Sequence, residues 1–217
     1  MTSVTGGKLS EVRHFDSKAT VEKYICSIGL PSSFFLPGFF MSNLPGKMIR
    51  PSPVTGAYTL AMPIPTTSHV PLLDTDTDTG KFTKGMLLNQ KKVEGKRILG
   101  ATAYYSPTQI IEEFKAVKPQ DTEGAVTVEI PGAVFKGILG KASMPEKIHE
   151  EMLQNMQLMA DGGFGYYGGE SLDFSHSVSF GISLMKISDA NEMQILGEPL
   201  TTWKEFVAKT PVWAELK

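Results

Sequence analysis

The stretch His14-Phe-Asp-Ser-Lys-Ala-Thr-Val-Glu-Lys-Tyr-Ile-Cys-Ser-Ile-Gly-Leu-Pro-Ser-Ser-Phe-Phe-Leu-Pro-Gly-Phe-Phe-Met-Ser-Asn-Leu44 decides the fold. It reads as a helix, a strand and a tight loop. The helix is expected from about Asp16 to Ile28, because Phe15, Val21, Tyr24, Ile25 and Ile28 recur at helical spacing. Asp16 or Ser17 can cap it, since a short side chain accepts from the free amides of a first turn. Gly29 suits the position after the last turn, and Pro31 forbids continuation. The run Ser33-Phe34-Phe35-Leu36 is short, apolar and bounded by prolines, as a buried parallel strand is. Pro37-Gly38 ends it and opens the loop through Phe39, Phe40, Met41, Ser42 and Asn43 to Leu44.

Around this stretch lies a chain of 217 residues, long enough for one domain, or one domain and a small lobe. Hydrophobic residues make up 41% and charged residues 20%, the profile of a globular chain that buries a sizeable core. A net charge of −2 gives no basic footprint for nucleic acid and no polybasic membrane patch. Cys26 is the single cysteine, so no intrachain disulfide can form, which suits a reducing compartment. Met1–Lys8 has no apolar run of the secretory type, and no run approaches the roughly 20 residues of a membrane span. The expected location is cytoplasm or nucleus.

Further along, strands are expected around Ala57–Met62 and Val70–Leu73, and at Arg97–Gly100 or Thr102–Tyr104. Asp74–Gly80 reads as a capped turn before a helix over Lys81–Lys92. Ser106, with Pro107 at the first helical position, opens a helix to about Val117. The alternating Ala125–Ile130 is a strand, and Pro145–Ala160 is a helix with Ile148, Met152, Met156 and Met159 on one face. Thr202-Trp203-Lys204-Glu205 is a capping-box pattern that starts a last helix. Strands alternating with helices place the chain in the α/β or α+β class.

Two motifs imitate ligand sites. Gly163-Phe-Gly-Tyr-Tyr-Gly168 spells the dinucleotide fingerprint, but a helix precedes it and no helical pattern follows. That fingerprint works only when a strand leads into it and a helix N-terminus leaves it. An aromatic-bearing loop over a pocket is the better reading of residues 162–170. Asp74–Gly80 begins like a calcium loop, but its glycine is one place late and its twelfth position is Gly85. Helix capping explains those carboxylates. The four histidines, His14, His69, His149 and His176, lack metal-like spacing, and no G-x-S-x-G elbow is present.

His14 and Lys18 remain. Four residues apart, they share one helix face. A lysine there can hydrogen-bond a ribose and an imidazole can shuttle a proton; equally, both can be solvated groups at a helix start. The blocks His14–Lys18, Val21–Ile25, Gly29–Pro31 and Pro37–Leu44 closely resemble the NmrA-like family, atypical members of the short-chain dehydrogenase/reductase superfamily. The resemblance is dense over residues 6–44. It continues more weakly through Val70–Leu88, Lys96–Lys118 and the last helix.

The resemblance implies an α/β, NAD(P)-binding Rossmann-like fold with a smaller α+β substrate lobe closing a cleft. Residues 1–44 would be the remnant of the Rossmann core and 45–217 mostly the lobe, with some returning core elements. Lys18 resembles the superfamily's active-site lysine on the nicotinamide ribose of NADP(H). Phe40, Met41, Ser42 and Asn43 resemble a second cofactor contact. His14 stands where ordinary members carry the catalytic tyrosine, so it becomes the proton-donor candidate. The family's Gly-rich amino half has no counterpart before His14, so an incomplete, N-terminally truncated sheet is expected. Its open strand edge implies marginal stability, or a protein partner or second copy that covers it. Two functional readings follow: hydride transfer on an unknown small organic substrate, as in tailoring enzymes of metabolite pathways, or a non-catalytic NADP(H)-responsive regulator that binds a protein. An inactive fragment is the third.

Overall fold

The computed structural model describes residues 9–160 and 196–211, and the backbone of 183–185. The 162–170 loop and His176 lie outside the described residues. The strands are β1 (Phe34–Pro37), β2 (Phe39–Phe40), β3 (Ile49–Pro51), β4 (Tyr58–Met62), β5 (Val70–Leu73), β6 (Lys96–Gly100), β7 (Ala103–Tyr105), β8 (Val126–Glu129) and β9 (Ser183–Met185). The helices are α1 (Arg13–Ser27), α2 (Thr75–Leu88), α3 (Gln90–Val93), α4 (Pro107–Val117), α5 (Gly132–Lys141), α6 (Glu146–Gln157) and α7 (Trp203–Lys209). Met41–Asn43 is a single 3₁₀ turn. Among the described residues no helix is long and apolar enough to cross a membrane.

The strands form three three-stranded sheets, in the orders β1-β6-β9, β2-β5-β7 and β3-β4-β8. The first is wholly parallel, with Phe34 opposite Arg97 and Pro37 opposite Gly100. In the second, β2 runs parallel to β5 and β7 antiparallel to it. In the third, β3 is antiparallel and β8 parallel to β4.

Gly38 joins the first sheet to the second. Its amide donates to the Gly100 carbonyl at 2.7 Å, continuing the β1–β6 ladder. A Cβ built on Gly38 would lie 2.5 Å from the Pro71 carbonyl oxygen and 3.1 Å from that of Gly100. Both obstacles are backbone, so a side chain there could be accommodated only by moving a strand. The strand leaves one sheet and enters the next through a gap that only glycine fits.

The main core lies under the second and third sheets. Met41, Leu44, Leu60, Met62, Leu72, Ile110, Phe114, Met156 and Trp203 are all buried in it. The indole N–H of Trp203 donates to the Ile110 carbonyl at 2.9 Å, so the largest buried side chain leaves no polar atom unmatched. A smaller cluster of Leu73, Phe82, Val93, Ile98 and Leu196, with Phe35 packed against it, joins α2 to the parallel sheet. A third, of Leu9, Val12 and Leu158, ties the chain entering α1 to the end of α6.

Several sequence expectations are corrected. The strand expected at Ser33–Leu36 is Phe34–Pro37 and only half-buried. β1 pairs with β6 on one side and with no strand on the other among the described residues, so one edge stays open. The α1 face expected to pack is exposed at Val21 (58%), Tyr24 (65%) and Ile28 (56%), and no α1 residue is buried. Neither Asp16 nor Ser17 caps α1; its N-cap is Val12, which offers no side-chain acceptor. Asp74 caps α2 directly, accepting from the Thr77 amide at 3.4 Å, so that helix begins at Thr75 rather than Lys81. Both strands left as alternatives at 97–104 form. In β8 Val126 and Val128 are exposed, while Thr127 is half-buried and donates to the Leu60 carbonyl at 3.3 Å.

Gly38→Ala is expected to cost about 1–3 kcal/mol, as overpacking does. Gly80→Ala, inside α2 with nothing within 4 Å of the added carbon, is expected to stabilise by up to about 1 kcal/mol. Urea unfolding of both variants checks the contrast; equal midpoints would contradict the gap at Gly38.

Candidate functional site

Helix α1 presents His14 and Lys18 in its first two turns. Its orientation follows from two polar anchors. Near its middle, Glu22 pairs with Arg97, the second residue of β6, whose Nε donates at 2.7 Å. That contact ties α1 to the amino end of β6, and the short 28–33 connection leads from its last turn to the start of β1, so its later turns face the amino ends of the parallel strands and His14 and Lys18 belong to the opposite end of the helix. The Phe40–Asn43 loop follows β2, so it too lies at a carboxyl end. In open α/β sheets this is the end where ligands bind.

The second anchor is at the amino end of α1, and it replaces the cap that the local sequence does not supply. Glu151 of α6 accepts from the His14 backbone amide at 2.9 Å. The same carboxylate oxygen lies 2.6 Å from His14 Nδ1. Gln154, one turn on, accepts from the Glu11 amide at 2.8 Å. Asn155 places Nδ2 at 3.3 Å from His14 Nε2. A carboxylate close to free amides at a helix start also faces the positive end of the helix dipole. Glu150, beside Glu151, receives Gln154 Nε2 at 3.0 Å and Lys136 Nζ at 2.9 Å. Those hydrogen bonds, that of Gln154 first, hold the Glu150 carboxyl below its ordinary value.

The two halves of the expected site are in different states. The Lys18 ammonium makes one hydrogen bond among the described residues, to the His14 carbonyl at 3.3 Å, so it has further N–H donors for a ligand. In the loop, Phe40 and Ser42 are exposed. Met41 is fully buried in the main core, so it anchors the turn and leaves only its backbone to a ligand. Asn43 Oδ1 accepts from Lys47 Nζ at 3.2 Å. This donor set suits the nicotinamide-ribose end of a dinucleotide: an ammonium for ribose hydroxyls, an exposed aromatic ring and loop amides. It does not supply a pyrophosphate cradle. The described strand-to-helix turns are β5–α2, capped by Asp74, β7–α4, capped by Ser106, and β8–α5, which runs through Ile130 and Pro131 into Gly132; that one glycine at the start of α5 is the only one they carry, so none is a glycine-rich turn.

A different cluster surrounds the start of α2. Asp78 is fully buried and accepts from the Thr201 amide at 2.9 Å, the Thr201 hydroxyl at 3.1 Å and Lys81 Nζ at 2.8 Å. Asp74 receives Lys209 Nζ at 2.5 Å. Beside it lies an open concavity of about 580 Å³, lined in part by Lys81, Thr201, Glu205 and Lys209. None of the residues expected from the sequence lines it, and both lysines are already paired. The cluster clamps α7 and the segment before it onto α2. Asp74 and Asp78 therefore act in capping and clamping.

Glu151 and Asn155 are the site residues that sequence reading missed. They contact His14 across 137 and 141 residues of chain. The available signal was the polar stripe Glu150, Glu151, Gln154, Asn155 at helical spacing, opposite Leu153 and Met156 on the same helix.

The model of the NmrA-like family matches residues 1–207. Among solved structures, NmrA, a negative transcriptional regulator, in complex with NAD, is 20% identical with a TM-score of 0.64, covering 89% of this chain and 56% of that one. The same regulator in complex with NADP gives 19%, 0.64, 89% and 56%. Isoflavone reductase gives 14% identity and a TM-score of 0.60, covering 90% of this chain and 57% of that one. Curated protein sequences yield no match. These matches show a shared Rossmann-like fold, and the chain spans a little over half the length of these structures.

The state of Asp74 generates a pH prediction. Burial pushes its carboxyl up, but hydrogen bonds from Lys209 and Thr77 and the Lys209 charge outweigh this, leaving it below its ordinary value. A carboxyl depressed on folding contributes stability above its unfolded value and loses it as pH falls through the folded value. Asp74→Asn is therefore expected to be less stable at neutral pH and to show a flatter decline in melting temperature below about pH 4. Parallel acid-side slopes for the two proteins would contradict the clamp.

Proposed function

The chain belongs to the NmrA-like family, and from that premise we propose that it takes NADP(H) at the carboxyl ends of its parallel strands, with Lys18 on the nicotinamide ribose and Phe40–Asn43 beside the nicotinamide. The observation that carries this reading is the Lys18 ammonium, which has spare donors and stands two turns into a helix aligned with those strand ends. When bound, the reduced cofactor supplies hydride. The substrate is a small organic carbonyl compound. His14 Nε2 would give a proton to the carbonyl oxygen as the substrate is reduced to an alcohol. Lys18 holds the ribose, Met41 fixes the loop from below, and Phe40 covers one side of the site.

A second reading is favoured by one observation. The apolar residues Val21 and Tyr24 stand exposed on α1, the helix that carries Lys18, and Ile28 stands exposed just after it. A regulator that binds a protein through that helix, and changes its affinity when NADP(H) is bound, uses the same cofactor contacts without turnover. The regulator among the structural relatives makes this a relevant alternative.

Titration of the chain with NADPH, followed by nicotinamide fluorescence, tests both. Lys18→Met is expected to weaken binding roughly tenfold or more, the loss of one or two hydrogen bonds to a charged group. Unchanged affinity would refute the cofactor placement. Carbonyl-dependent oxidation of bound NADPH, abolished in His14→Phe, favours the enzyme; nucleotide-dependent partner binding without oxidation favours the regulator.

A further inference from the structure

His14 is surrounded more completely than a helix-start histidine needs to be. Glu151 and Asn155 reach it from α6, the Phe15 ring stacks beside it at 5.9 Å, and Lys18 Nζ lies on its carbonyl oxygen. Arg13, next to it in the chain, pairs with Glu11. The two contacts to the ring are of different kinds. A carboxylate has no hydrogen to give, so the 2.6 Å contact requires the hydrogen on Nδ1. The exchangeable nitrogen is then Nε2. Its partner, the Asn155 amide, can match either state: Nδ2 donates to a bare Nε2, and Oδ1 accepts from a protonated one. Asn155 Oδ1 is buried with no hydrogen-bond partner among the described residues, so among them no other group fixes which way the amide faces. That choice falls to Nε2.

We propose that Glu151 and Asn155 are positioning residues of the site: Glu151 holds His14 in its Nδ1–H form, and Asn155 is the amide that accommodates Nε2 with or without its proton. This deepens the reading given above and rests on it for the role of the proton. When Nε2–H passes its proton to a substrate oxygen, the N–H bond breaks and its electron pair stays on nitrogen. The Nδ1–H···Glu151 bond persists throughout. The longer contact, 3.3 Å to Asn155, is the one a substrate oxygen replaces. Because Glu151 also holds the His14 amide, the carboxylate that sets the tautomer also sets the first turn of α1, and with it the position of Lys18. The α6 stripe thereby aligns proton donor and ribose lysine together.

The test is a long-range ¹H–¹⁵N spectrum of the full chain labelled at histidine, recorded over a pH series and read where the ring signals no longer move with rising pH, with the His14 signals assigned by loss in His14→Gln. The expected result is a single Nδ1–H tautomer for His14. In Glu151→Gln, whose amide can donate or accept, that single-tautomer pattern is lost. In Asn155→Ala it is kept, because Glu151 alone sets it. A wild-type Nε2–H pattern or a mixture of tautomers would overturn the proposal without recourse to any variant; so would Glu151→Gln with the wild-type pattern. Thermal melts of the variants establish that they are folded. The spectrum is independent of NADPH titration, so failure to bind cofactor would remove the proposed reaction while leaving the tautomer result to decide the role of Glu151; loss of the single-tautomer pattern in Asn155→Ala would overturn the division of roles between the two residues.

Discussion

The structure depends on one close approach of backbone to backbone. At Gly38 the chain passes between the carbonyls of Pro71 and Gly100, too near for any side chain. Everything that positions the candidate site follows from that passage. Before it, β1 lies in the parallel sheet beside β6; after it, β2 lies beside β5. The Phe40–Asn43 turn begins immediately beyond, and Met41 enters the core there with no exposure. Gly100 completes the joint, since the Phe35 ring occupies the space its side chain would need, and Phe35 in turn packs on Phe82 of α2 at 5.1 Å. The loop is thus fixed at both ends by packing before any ligand arrives, a preorganised arrangement that saves ordering entropy on binding.

Helix α1 is held differently. No residue of it is buried, so it is located by polar contacts rather than by a core face. Arg97 fixes its middle to the sheet, and the α6 stripe fixes its start. A helix held by a few directional bonds at its start and middle, with part of its apolar side open, shifts more readily than one packed along its length. In both functional readings this matters, because α1 carries Lys18, the proposed ribose contact, and also presents the exposed apolar residues.

What the sequence disclosed, and what it did not, divides along local and long-range causes. The helix starts with capping boxes at Ser106 and Thr202 were legible because the reciprocal bonds lie within four residues. β4 and β5 were legible from their apolar character and the turn residues around them. Helix α5 escaped because Gly132, Gly137 and Gly140 lower its helix propensity, although Phe135 packs in the core and holds it. The cap of α1 escaped because its acceptor, Glu151, belongs to another helix. β8 was legible as a strand from its alternation, which does not say which of the two faces is covered. His14, Lys18 and the Phe40–Asn43 loop were legible as a family pattern, whereas their supporting shell of Glu151, Gln154 and Asn155 was visible only as an uncommitted polar stripe.

The central claim is that the first turns of α1 and the loop after β2 together hold the nicotinamide end of the cofactor. A crystal structure of this chain grown with NADPH tests it directly. The account predicts ribose hydroxyls within hydrogen-bonding distance of Lys18 Nζ and the nicotinamide beside Phe40 and Asn43. Nicotinamide density in the concavity between α2 and α7, or beside any surface remote from Lys18, would contradict it.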